Sequence, residues 1–311
     1  MKEPIPFGRY VLRERIDVGG MAEVFLARGP GGETCAVKRL LPGLGEDGEL
    51  LSMFLDEARL AAQFEHPGLV EVRDLGRVGD SYYIAMEYVA GVDLGALLAR
   101  LRGTGQRAPV ALSAFVARQV ALALDHVHGR RDRAGRLLGV VHRDVSPRNV
   151  LLSFAGDVKL IDFGIARSAA RDRPGEERVL RGKVSYMSPE QAEGRPADRR
   201  SDVFALGAVL HEMLCGTRLF QGDSELAVLE RIRSAAASPP SLGNPDVPPA
   251  LDRTVLRALA RDPGERFDSA GEFGEALAPD AEPVGAAAAA AFLALAMPEE
   301  RERERRRALE R

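Results

Sequence analysis

The sequence predicts an α+β protein of two lobes, a small β-rich lobe followed by a larger, mainly helical one. Residues 9 to 90 hold five short runs rich in β-branched and aromatic residues, separated by glycine or charged turns. From about residue 93 onward the chain is mostly segments with apolar residues at helical spacing. In the middle stands VVHRDVSPRNVLL (140–152), whose apolar ends frame His142, Arg143, Asp144, Arg148 and Asn149. Charged groups are seldom buried unpaired, so this stretch is either an ordinary polar loop or a catalytic loop held by a scaffold.

The strand runs are YVLRERI, AEVFLARG, TCAVKRL, VEVRDLGRV and SYYIAMEYV. One helix interrupts them, GELLSMFLDEARLAAQFEHP, whose apolar spacing runs to Pro67. The helical half holds LGALLARL, LSAFVARQVALALDHVHGR, SDVFALGAVLHEMLCG, SELAVLERIRSA and LDRTVLRALARD. VLLS and DVKLIDFG read as a hairpin, and SPPSLGNPDVPP as a proline-rich loop. A ligand cleft between the lobes is the default expectation. From 281 the composition changes to an alanine-rich helix, then Pro298 and EERERERRRALER. The Glu299–Arg303 and Glu302–Arg306 spacings suit a solvated helix, with a partner-binding helix as the alternative.

Bulk properties exclude several classes. The chain has 311 residues, net charge −3, 45% hydrophobic and 29% charged residues, so neither nucleic acid nor an anionic membrane is an expected partner. Its two cysteines, Cys35 and Cys215, form no metal or disulfide pattern. The N-terminus lacks a signal-peptide core. The most apolar run, 284–297, falls short of the ~20 residues that span a bilayer. A cytoplasmic, soluble protein is expected. Only four of 43 basic residues are lysine (Lys2, Lys38, Lys159 and Lys183), so each lysine invites a specific role.

Several short patterns carry chemistry. RIDVGGMAEVFLA is a strand, a glycine turn and a strand, in which Gly19 and Gly20 would let backbone N–H groups approach phosphates. Lys38 in CAVKRL lies on a strand between apolar neighbours and needs an anionic partner, for which Glu57 is the candidate. Asp162 in KLIDFG stands at a strand end beside glycine, which suits a Mg²⁺ ligand, and Asn149 offers a second oxygen. Turn capping is the plain alternative for both.

In order along the chain, VGGMAEV, AVK, Glu57, MEYVAG, HRDVSPRN, DFG, YMSPE, SDVFALG and DPGERF resemble a bacterial, eukaryotic-like (Hanks-type) serine/threonine protein kinase over about residues 9 to 280. The resemblance implies a bilobal protein-kinase-like fold, with an N-lobe of about 9–87 and a C-lobe of about 92–280, and 281–311 as a helical tail. It implies transfer of phosphate from ATP, with Mg²⁺ or Mn²⁺, to serine or threonine hydroxyls of protein substrates. Lys38, paired with Glu57, would hold the α- and β-phosphates, Asn149 and Asp162 the metal, and Asp144 the substrate hydroxyl. Glu87 and Val89 would meet adenine through their backbone, with Met86 behind it and Asp93 at the ribose. Ile16, Val24, Ala36 and Leu151 would sandwich the ring. Glu190 with Arg266 matches a structural ion pair, and Asp202 the residue that anchors the catalytic loop.

The pattern is broken in places. Asp17 stands where a glycine opens the phosphate loop, and Ala22 replaces its third glycine. An acid near triphosphate would weaken ATP binding unless it points to solvent. Ser146 stands where a lysine is usual two residues after the catalytic aspartate. Its charge would return from Lys183, the favoured candidate, or from Arg148, as in many tyrosine kinases. The segment from Asp162 to Glu190 has no threonine. Ser185, Tyr186 and Ser188 would serve structure, leaving Ser168 as a target. With Glu176 and Glu177 as constant charge, activity independent of loop phosphorylation is expected. The competing function is a pseudokinase that binds nucleotide or partners without turnover.

Overall fold

Alternation in the first 90 residues becomes one six-stranded antiparallel sheet. The computed structural model describes residues 3–132, 134–163 and 184–309. The strands are β1 (Ile5–Phe7), β2 (Tyr10–Val18), β3 (Ala22–Arg28), β4 (Thr34–Leu40), β5 (Val72–Val78) and β6 (Ser81–Glu87), in the order β1-β2-β3-β4-β6-β5. β1 lies ahead of the runs read from the sequence. β4 is a central strand, and its inward side chains Cys35 and Val37 are buried with Phe25, Tyr83 and Ala85. On the other face Phe54 and Ala58 of α1 (Gly48–Ala61) pack with Leu40 and Ile84. Asp47 caps α1 by accepting from Glu49 N and Leu50 N.

α1 ends at Ala61, short of Pro67 where the apolar spacing stops. The chain leaves the helix so that Phe64 can stack on Phe163, with ring centroids 5.4 Å apart. The next residues form a turn in which His66 Nδ1 accepts from Gly68 N.

The helical lobe contains α2 (Leu94–Gly103), α3 (Val110–His128), α4 (Pro189–Ala192), α5 (Arg199–Cys215), α6 (Glu225–Ser234), α7 (Pro249–Ala258), α8 (Ala270–Ala276) and α9 (Ala278–Ala281). α3 is long and apolar enough to cross a membrane, yet it is a packed core helix, with Val116, Val120, Leu124 and Val127 buried. A small sheet of β7 (Gly91–Asp93), β8 (Val150–Ser153) and β9 (Val158–Leu160) lies at the lobe junction. β8 and β9 form the expected hairpin.

The tail forms the two expected helices, and the charged one is mostly exposed, with Glu304 its one buried residue. α10 (Ala286–Ala296) packs one face on the body, while α11 (Pro298–Leu309) touches it mainly through Glu304 and Arg307. Ala289, Leu293 and Met297 join the core of the helical lobe, and Glu304 is buried. The Glu302–Arg306 pair forms at 3.3 Å on the outer face, as its spacing suggested.

Candidate active site

Strand register fixes where the cleft residues stand. Val24 on β3 lies opposite Lys38 on β4, Ala36 opposite Met86 on β6, and Asp93 on β7 opposite Leu151 on β8. Lys38 is thereby carried into the interior, where Nζ lies 2.7 Å from Glu57 Oε1 and 2.8 Å from Asp162 Oδ1. One ammonium from the sheet therefore bridges a helix carboxylate and a carboxylate after β9. Burial alone would push the Lys38 ammonium down, but Asp162 and Glu57 outweigh it and hold the group charged. Burial, opposed by Lys38 and reinforced by Asp162, lifts the Glu57 carboxyl above the usual range. Lys38, Glu57, Asp162, Met86 and Phe163 line one cavity behind the cleft.

The loop from 142 to 149 is held from below. Asp202 on α5 accepts from the backbone N–H of His142 and of Arg143, each at 2.8 Å, and lies 2.7 Å from His128 Nε2. A carboxylate only accepts, so His128 carries its proton on Nε2. Arg143 is thereby held at φ +67°, a left-handed conformation that costs a non-glycine residue about 1–2 kcal/mol. Asp162 also has positive φ, +55°. The His142 ring accepts from Asp144 N at Nδ1 (3.3 Å) and so donates from Nε2 to Ile161 O (3.2 Å). Burial lowers its basicity, in keeping with a neutral ring.

Asp144 is buried in this loop. Asn149 uses its amide nitrogen on the Asp144 carbonyl at 2.7 Å, so its oxygen is the atom it offers elsewhere. Beneath the site Glu190 and Arg266 form a two-pronged buried pair, with both contacts at 2.8 Å, and Ser201 Oγ adds a bond at 2.6 Å. Burial raises the Glu190 carboxyl, but Arg266 and Ser201 overcome it and hold it at about 2. Ser188 caps α4 and Tyr186 bonds Glu212, so these two hydroxyls are engaged in structure, and Ser185 is buried.

Other expected residues stand as follows. Ile16, Val24, Val89 and Leu151 are half-buried, and Ala36 is buried. Gly19 and Gly20 are exposed, with Gly19 N closing the turn onto Ala22 O at 2.8 Å. Asp17 is exposed, and its side chain accepts from Val18 N at 2.8 Å. Asp93 caps α2 through Ala96 N at 2.9 Å, which is the plain capping role; burial raises its carboxyl. Arg148 is exposed, its stem lying against the surface that Gly95 leaves open beside Asp93. Ser146 is buried, and its hydroxyl finds no hydrogen-bond partner among the described residues. Lys183, Ser168, Glu176 and Glu177 lie outside the described residues.

Sequence reasoning missed two features around the hinge. Lys159 on β9 forms an ion pair with the Glu87 carboxylate, and the rarity of lysine was the signal for it. Tyr88 bonds Glu304 of the tail, and no local pattern announces that contact.

Comparisons with known proteins bear on the family and the fold. The protein kinase domain family model matches residues 10–270. The chain is 41% identical over 279 residues to the tyrosine-protein kinase MasK of Myxococcus xanthus, covering 88% of this chain and 43% of that protein. It is 35% identical to the serine/threonine-protein kinase PrkC of Bacillus subtilis (85% and 39% covered) and 38% identical to PknB of Mycolicibacterium smegmatis (89% and 44%). The chain thus spans less than half the length of these curated relatives. Among solved structures, the PknI kinase domain of Mycobacterium tuberculosis matches with TM-score 0.67 and 30% identity, covering 90% of this chain and 99% of that one. The chain belongs to the protein kinase domain family. Its named relatives are bacterial protein kinases, most of them called serine/threonine kinases.

Proposed function

We propose that this domain is an active protein kinase that moves the γ-phosphate of MgATP to hydroxyl groups of proteins, with serine and threonine as the main acceptors. The observation that carries the reading is the closed Lys38–Glu57 contact at 2.7 Å together with Lys38–Asp162 at 2.8 Å. A cation buried between two carboxylates at a cleft is positioned to receive phosphate oxygens. Arg143 and Asp162, both at positive φ, add local strain of the kind that clusters at functional sites.

In this mechanism Lys38 orients the α- and β-phosphates and Glu57 holds Lys38. Asp144 accepts or orients the proton of the attacking hydroxyl, in a loop that Asp202 keeps in place. Asn149 and Asp162 fit Mg²⁺, because that ion is commonly held by one or two oxygen side chains together with substrate phosphates. Bound there, it would neutralise phosphate charge. Mn²⁺ suits the same oxygen donors. The backbone of Glu87 and Val89 receives adenine, with Ile16, Val24, Ala36 and Leu151 on its faces and Met86 behind. The chemistry is mainly positioning and charge stabilisation.

Tyrosine is the second reading for the acceptor. Arg148 stands within a loop where Ser146 replaces the usual lysine, and the 41% identical relative carries the name tyrosine-protein kinase. Phosphoamino-acid analysis of the labelled product separates the two.

The binding half is tested by thermal unfolding with ATP, with and without Mg²⁺. Wild type should gain several degrees at saturating MgATP, and Lys38→Met should gain much less. Equal shifts in both proteins would contradict the role given to Lys38.

A further inference from the structure

The last helix crosses the hinge. Its root is fixed in the helical lobe, where Leu293 of α10 and Met297 just after it are buried. Gly156, at φ +96° in the β8–β9 turn, lets the backbone of Ala286 come very close. A Cβ on residue 156 would stand 1.9 Å from the Ala286 carbonyl oxygen. After Pro298 the chain turns into α11, which carries Glu304 and Arg307 one turn apart.

Glu304, only 7% exposed, accepts from the Tyr88 hydroxyl at 2.7 Å. Tyr88 sits between Glu87 and Val89, in the segment joining the lobes. Arg307 donates to the same hydroxyl at 2.9 Å, pairs with Glu304, and grips Glu14 with a fork: Nε to Oε2 at 2.9 Å and Nη2 to Oε1 at 2.7 Å. Glu14 is on β2, two residues before Ile16. Hydrogen bonding and charge from Arg307 pull the Glu14 carboxyl down against its partial burial. Burial and Glu304 push the Tyr88 phenol up, so it stays un-ionised and donating. One guanidinium thus touches the tail helix, the hinge and the roof of the small lobe. Two-pronged arginine–carboxylate bonds fix geometry as well as supply attraction.

We propose that Glu304 and Arg307 are positioning residues for the nucleotide slot. They tie the hinge at Tyr88 and the β2 strand at Glu14 to a helix rooted in the other lobe, and so set the width of the slot. A cleft that opens by moving β2 away from the helical lobe must break the fork. Lys159 braces the same hinge from within through Glu87. The inference rests on the reading of this cleft as a MgATP site.

The test compares wild type, Arg307→Ala and Arg307→Lys in two measurements. The first is amide hydrogen exchange of residues 87–91 without nucleotide. The second is KM for MgATP against kcat at saturation. Arg307→Ala should speed hinge exchange and raise KM by about tenfold each, the size expected for losing one well-formed charged contact, with kcat within about twofold of wild type. Arg307→Lys keeps the charge without the fork and should recover part of both changes. Exchange and KM both within about twofold of wild type in Arg307→Ala would overturn the proposal. Faster exchange with an unmoved KM would also overturn it. If wild type failed to bind MgATP at all, the kinase reading would fall, while hinge exchange would still decide whether the tail holds the hinge.

Discussion

Asp202→Asn tests the scaffold of the catalytic loop, because it changes charge with almost no change in shape. Asp202 is 1% exposed and takes three hydrogen bonds, from His142 N, Arg143 N and His128 Nε2. An asparagine keeps one acceptor oxygen. In its better orientation that oxygen still serves His142 and His128, while its NH₂ group faces the Arg143 N–H. One part-buried donor then loses its acceptor, at about 1–3 kcal/mol, and the two remaining bonds lose their charge assistance, at about 1 kcal/mol each. A loss of about 3–5 kcal/mol follows. The Arg143 amide is also what holds that residue at φ +67°, so its release lets the backbone next to Asp144 relax. A displaced Asp144 should lower kcat/KM for MgATP-dependent transfer about a hundredfold, or ~2.7 kcal/mol. Urea unfolding followed by circular dichroism measures the first quantity and steady-state kinetics the second. A stability loss under about 1 kcal/mol, with kcat/KM within about threefold of wild type, would refute the reasoning.

Three further predictions follow from single contacts. Glu190 is held at about 2 in the folded chain, below its ordinary 4.5, so its contribution is complete above about pH 4.5 and disappears as pH falls toward 2; it amounts to at most about 3 kcal/mol. Unfolding of Glu190→Gln should therefore show a shallower acid limb than wild type between those values, and parallel curves would contradict this. Gly156→Ala places a Cβ against Ala286 and adds about 1–2 kcal/mol of left-handed strain, so limited proteolysis should cut the tail near 284–285 faster than in wild type. An unchanged cutting rate would mean that the tail does not depend on that approach. Ser146→Ala removes a buried hydroxyl that has no partner among the described residues and should leave stability within about 0.5 kcal/mol; a loss above about 1 kcal/mol would show that the hydroxyl is bonded in solution.

The fold was legible where local pattern and tertiary demand agree. β4 runs from Thr34 to Leu40, as its alternation predicts, because it is a central strand with one face on each core. The meeting of Lys38 with Glu57 was readable because a buried lysine needs an anion and the intervening helix offers one. α1 was read too long because Phe64 keeps the apolar spacing of the helix while its ring serves the stack on Phe163. The tail was read as a surface helix, as most of it is, but its docking was not legible. Its charges satisfy the i,i+4 pattern of a solvated helix, yet Glu304 and Arg307 spend theirs on Tyr88 and Glu14, more than 200 residues away. Asp93 shows ambiguity of another kind: the residue expected at the ribose is also the cap of α2, and the sequence alone does not separate those uses.

The central claim is that the cleft transfers phosphate with Asp144 at the acceptor hydroxyl. Labelled MgATP, the domain itself and a generic basic protein as acceptors, and wild type beside Asp144→Asn test it most directly. The account predicts transfer by wild type and a loss of at least about a hundredfold in the variant, with binding of MgATP retained. Equal transfer by both proteins, or none by wild type at millimolar ATP with Mg²⁺ or Mn²⁺, would contradict it.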